Sequence, residues 1–164
     1  YLRLSRGTKR PRDGYFLRAE SFFNVATEIE KIDEGFRRIP KVGTAYGPRL
    51  LHEQSHGESF LALLMNRFSA NGFYLLDEPE AALSPHRQMA VLSRIHDLAM
   101  QGSQFIIATH SPILMAYPNS LIYHLTDHGT SVVAYRDTEH YSVTKAFLNN
   151  PEKMLGVLME ESDS

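Results

Sequence analysis

Two short apolar runs, Phe73-Tyr74-Leu75-Leu76 and Phe105-Ile106-Ile107-Ala108, constrain this chain more than any other feature. Each is too short for a helix, continuous rather than alternating, and stopped abruptly by polar residues. Asp77-Glu78-Pro79 follows the first run and Thr109-His110-Ser111-Pro112 the second. This is the pattern of strands buried on both faces of a parallel sheet. Between the runs, Ser84 offers an N-cap, Pro85 a first-turn residue and Gly102 a stop, so the spacing predicts a helix over about Pro85 to Met100. Strand, helix, strand is a βαβ unit with parallel strands and a right-handed crossover. The fold class that follows is α/β, a mostly parallel sheet flanked by helices.

The rest of the chain is organised around that unit. Phe22, Phe23, Val25, Ala26 and Ile29 recur at helical spacing, which predicts a helix over Arg18 to Ile32. Residues 33–56, with Gly35, Pro40, Gly43, Gly47 and Pro48, read as an irregular segment. Gly57 to Ala70 reads as an apolar helix stopped by Asn71-Gly72. Ser111-Pro112 opens a short helix; Leu121 to Leu125 and Ser131 to Tyr135 read as two strands joined through Asp127-His128-Gly129. The tail from Val143 to Leu158 is an amphipathic helix broken near Pro151, and Glu160 to Ser164 read as disordered. The expected organisation is one domain over 1–164, with a core at 57–112 and C-terminal strands and helix at 120–160.

Composition removes several function classes. Seventeen basic against 19 acidic residues give a net charge of -2, which makes no global case for a nucleic-acid or membrane surface. No apolar run approaches the length of a membrane span and no leader opens the chain, so a cytoplasmic protein is expected. The absence of cysteine excludes disulfides and thiolate metal sites. Arg3, Arg6, Lys9, Arg10 and Arg12 form a basic run that reads first as a solvated face and only second as a nucleic-acid contact. His124 and His128 fall in and beyond a strand, where an i, i+4 spacing does not bring them together as it would on a helix.

Parallel sheets bind ligands at the carboxyl ends of their strands, where loops and helix N-termini gather. Asp77, Glu78, Thr109 and His110 should therefore converge on one edge. Taken singly, the carboxylates would serve as well to cap a turn, and His110 to cap the helix after Ser111. Occurring together, they suit a division of labour in which one carboxylate faces a metal ion and the other orients or deprotonates water, with the histidine beside a transferring phosphoryl group. Upstream, Ser55-x-x-Glu58 is a capping box ahead of an apolar helix, and Gly57 would let an anion approach the backbone N–H groups there.

These residues carry a resemblance. Phe73 to Glu80 resembles the Walker B strand of ABC-type ATPases, Ala81 to Pro85 their D-loop, Phe105 to Pro112 their switch-histidine loop, and Ser55-His56-Gly57-Glu58-Ser59 their signature loop. The Thr-His-Ser-Pro and Glu-Pro-Glu-Ala forms look more like the heads of SMC-type, RecF-type and small stand-alone bacterial "AAA family" ATPases than like transporter subunits. The flanks, Asp13 to Thr27 and Arg136 to Leu158, are also similar to those small ATPases. The resemblance implies a P-loop NTPase-like (ABC ATPase) fold and Mg2+-dependent ATP hydrolysis by a head-to-tail homodimer that sandwiches two nucleotides. It puts Asp77 on the metal, Glu78 on the attacking water and His110 on the γ-phosphate. Ser55, Gly57 and Glu58 would act on nucleotide held by the opposite protomer, and Ala82, Leu83 and Ser84 would pass signals between the two sites. His56 stands where a glycine or small residue is commoner, and Glu58 where many relatives carry glutamine.

One element of that family is missing from the sequence. No glycine is followed directly by lysine, so there is no G-x-x-x-x-G-K-[ST] phosphate loop. With Tyr1 in place of a starting methionine, the expectation is a chain cut upstream and inactive by itself. Two rivals stand beside the ATPase reading. One is a non-hydrolysing interaction module that donates signature and D-loop to a partner. The other is an ATPase subunit working beside a nuclease in DNA repair or phage defence.

Overall fold

The computed structural model describes residues 10–18 and 56–160. Two units, Tyr1–Thr109 and His110–Ser164, divide the chain. In the first, β1 (Asp13–Arg18), α1 (His56–Asn66), β2 (Gly72–Asp77), a 3-10 turn (Pro79–Ala82), α2 (Pro85–Met100) and β3 (Gln104–Ala108) follow one another. The three strands form one sheet in the order β1-β2-β3. All pairings are parallel, with Tyr15 opposite Tyr74 and Tyr74 opposite Phe105.

The predicted βαβ unit is present as β2-α2-β3. Its helix begins where the sequence places it: Ser84 is the N-cap, its Oγ accepts the Arg87 N–H, and Pro85 occupies the first turn. Gly102 ends it in a Schellman arrangement at φ +84°, with Gly102 N–H donated to Ala99 and Ser103 N–H to Leu98. Gln88, Val91, Ile95 and Leu98, spaced at three and four, form its buried stripe.

The sheet buries one face more deeply than the other, which corrects the expectation of strands buried on both faces. Phe68, just after α1, stacks on Tyr74 at 4.1 Å between ring centroids and lies 5.9 Å from Tyr15 and 6.5 Å from Phe105, closing the first face. On the opposite face, Phe16 is 64% and Ile106 54% exposed. Two boundaries are also corrected. Arg18 ends a strand instead of starting a helix; the rest of the Arg18 to Ile32 helix expectation lies outside the described residues. The apolar helix stops at Asn66 rather than Ala70: Phe68 leaves the helical path to stack on Tyr74, Arg67 binds Asp13 at 2.7 Å, and Arg94 of α2 donates to the Leu64 and Met65 carbonyls at the helix end and to Phe68 beyond it.

In the second unit, α3 (Pro112–Met115), the hairpin β4 (Ile122–Thr126) and β5 (Gly129–Val133), a 3-10 turn (Tyr135–Asp137), α4 (Glu139–Asn149) and α5 (Pro151–Glu160) follow. The hairpin is antiparallel, with Ile122 opposite Val133. Its second strand runs two residues earlier than Ser131 to Tyr135, and Tyr135 opens the 3-10 turn, whose backbone closes from Asp137 N–H to Ala134 and from Thr138 N–H to Tyr135. The tail is helical on both sides of Pro151 and begins at Glu139, where Thr138 supplies the N-cap. Glu160 belongs to the last helix, and 161–164 lie outside the described residues.

Candidate functional site at the carboxyl edge of the sheet

Strand register gathers the chemistry. Asp77 is paired with Arg18 across β1-β2 and with Ala108 across β2-β3. The ladder runs one step further, since Glu78 N–H donates to the Ala108 carbonyl at 2.9 Å. Thr109, next in the chain, donates from Oγ1 to Glu80 Oε2 at 2.7 Å. Asp77, Glu78, Glu80 and Thr109 therefore share the carboxyl edge, as parallel strands require.

Two features of this edge are not those of an ordinary strand end. Asp77 Oδ2 lies 3.1 Å from Arg18 Nε, a pair with side chains 33% and 55% exposed. Glu78 is exposed and adopts a left-handed backbone at φ 48°, ψ 52°, immediately before Pro79. An L-residue with a long side chain gains nothing locally from that conformation, and the following proline biases it toward extended backbone. Such strain persists where surrounding contacts fix it, and it clusters at functional sites. Here the Ala108 hydrogen bond on one side and the buried Pro79 on the other hold Glu78 in place.

Gly57 and Glu58 come together with Ala82, Leu83 and Ser84 in a second cluster of the same unit. A Cβ on Gly57 would run into the Ala82 carbonyl oxygen and Arg87 Nη1, so the absence of a side chain at Gly57 is a packing requirement. Glu58 Oε1 pairs with Arg87 Nη2 at 3.3 Å. Leu83 is buried and its carbonyl accepts Gln88 Nε2 at 3.1 Å, while Ser84 is spent on capping α2. Ser55 lies outside the described residues.

His110 is the first residue of the second unit. Its Nδ1 lies 3.0 Å from His140 Nε2. His124 and His128 sit in and after β4 without joining a metal-binding group, and among the described residues no cluster of three His, Asp or Glu suits a metal. Sequence reasoning passed over Arg18, Arg87 and His140. Arg18 and Arg87 carry no motif, and His140 meets its partner across 30 positions.

Mg2+ needs only one or two carboxylates, with water and phosphate oxygens completing its shell. A partly exposed strand-end Asp77 that already attracts a cationic group fits that demand. No helix among the described residues is long and apolar enough to cross a membrane.

Comparison with curated proteins and with solved structures gives no match to either. A family model does match residues 6–116, more than half of the chain, and covers both clusters of the first unit. This α/β chain, a parallel three-stranded sheet flanked by helices, thus belongs to the AAA domain family described as a putative AbiEii toxin of type IV toxin–antitoxin systems, and is a nucleotide-binding, ATPase-like domain.

Proposed function

We propose that the chain is part of an ABC-type head that hydrolyses ATP with Mg2+ between two protomers. The observation that carries this reading is the strained, exposed Glu78 directly beside Asp77 at the carboxyl edge, with Thr109 alongside. In this proposal Asp77 exchanges Arg18 for Mg2+, and the exchange is cheap because an exposed ion pair contributes at most about 1 kcal/mol. When bound, Mg2+ supplies charge neutralisation for the triphosphate.

Glu78 orients the attacking water and accepts its proton. The fixed backbone matters for that role, because a base works only within hydrogen-bond reach of its proton. Thr109 holds Glu80 by its hydroxyl, which keeps a further carboxylate from wandering toward the phosphates. The role of His110 on the γ-phosphate rests on sequence order alone. Ser55 and the Gly57 region serve nucleotide on the opposite protomer, with the Glu58 charge met by Arg87. The phosphate loop absent from these residues has to come from chain outside them, so the ATP-hydrolysing form is one that carries it.

In that form, Glu78→Gln is expected to bind Mg-ATP normally, to accumulate as a nucleotide-held dimer and to lose at least about a hundredfold in turnover, the usual weight of a positioned base. Phosphate release near the wild-type rate would remove Glu78 from the chemistry.

A further inference from the structure

We infer that His140 is the positioning residue of His110 and holds it in the tautomer that carries its hydrogen on Nε2; the inference rests on the proposed role of His110 at the phosphate. His110 Nδ1 and His140 Nε2 stand 3.0 Å apart, with ring centroids 5.2 Å apart and planes at 35°. Two imidazole nitrogens at that distance share one hydrogen, so one donates and the other accepts. A neutral histidine that offers N–H to a phosphate oxygen from Nε2 has a bare Nδ1. His140 Nε2–H is then the donor, and His110 Nδ1 accepts.

Both rings are mounted on short, stiff helix entries within the second unit. His110 immediately precedes Ser111, whose buried side chain accepts the N–H groups of Ile113 and Leu114 at the start of α3. His140 is the second residue of α4. Thr138 caps that helix by accepting the Tyr141 N–H and ties back by donating to the Tyr135 carbonyl at 2.7 Å. The Tyr135 and Tyr141 rings pack at 4.8 Å, fixing the turn that delivers His140. Two nitrogens at this separation also suit a shared metal ion, but a stable site takes three or four ligands, and no third joins them among the described residues.

Side-chain nitrogen NMR of the 164-residue chain reads the tautomer directly. His110 is expected to carry hydrogen on Nε2 with Nδ1 bare in the wild type and in His140→Gln, whose amide can donate in place of the ring. His140→Ala should shift the His110 tautomer population away from the Nε2–H form. In the ATP-hydrolysing form, His140→Ala should lower kcat about tenfold, the weight of one hydrogen bond, at unchanged KM for ATP, and His140→Gln should restore most of the loss. Unchanged His110 ring signals in His140→Ala, or a His140→Gln as slow as His140→Ala, overturns the positioning role while a slow His110→Ala leaves the proposed function standing. Wild-type turnover in His110→Ala removes His110 from the phosphate, and this inference with it.

Discussion

Replacing Glu78 by alanine and, separately, by glycine isolates the strain in its backbone. Both variants delete the carboxylate and everything it touches, so they differ by one Cβ. At a position with ordinary dihedrals, alanine is the more stable of the two by about 0.4–1 kcal/mol, because glycine leaves the unfolded chain more freedom to lose. At φ 48°, ψ 52° the order should reverse. A Cβ in the left-handed region costs about 1–2 kcal/mol, and glycine escapes that cost. The difference leaves Glu78→Gly ahead of Glu78→Ala by about 1 kcal/mol. Urea unfolding of the 164-residue chain followed by circular dichroism measures it. With a slope of about 2 kcal/mol/M, the midpoints should separate by about 0.5 M at equal slope. Alanine ahead by about 0.4–1 kcal/mol, the order of an ordinary position, would show that Glu78 sits without strain and would withdraw the main structural support for its catalytic role.

Asp13 gives a pH-dependent test: burial alone would raise its pKa, but the Arg67 guanidinium at 2.7 Å, with hydrogen bonds from Gly14 N–H and Tyr74, brings it below the ordinary carboxylate range. A lowered folded pKa means a contribution fully present above about pH 4 and lost as pH falls through the folded value, so Asp13→Asn should cost about 1–3 kcal/mol at neutral pH and flatten the acid limb of the urea midpoint against pH. Gly57→Ala forces a methyl into the Ala82 carbonyl and Arg87 and should destabilise by about 1–3 kcal/mol in the same assay; a neutral effect would show that α1 and the 3-10 turn yield freely. In native-state hydrogen exchange, β1 amides should exchange ahead of β2. Tyr74 reaches Asp13 across 61 positions, whereas Gly72 reaches Ser103 across 31, and β1 is an edge of the described sheet. Equal protection in both strands would count against separate opening.

The parts legible in the sequence are those whose signals are local. β2, α2 and β3 are written in consecutive residues, with Ser84, Pro85 and Gly102 acting within a turn of the boundaries they set. β1 is not, because Asp13 to Arg18 becomes a strand only against β2, far along the chain, and the apolar residues after it draw a helical reading back to Arg18. The early end of α1 has the same origin: Phe68 leaves the helical path to stack on Tyr74, a partner invisible to periodicity. The edge location of Asp77 and Glu78 was readable because a parallel strand's direction decides it. The left-handed backbone of Glu78 was not, since no glycine or asparagine announces it.

The contact between Gly57 and Ala82 has a mechanical meaning. With no side chain between them, and with Arg87 paired to Glu58, the entry of α1 and the turn before α2 meet backbone to backbone, too closely to admit a methyl group. Substitutions at Gly57, Ala82 and Arg87 are bound together in the same way: a change at one is tolerated only as far as the other two can follow.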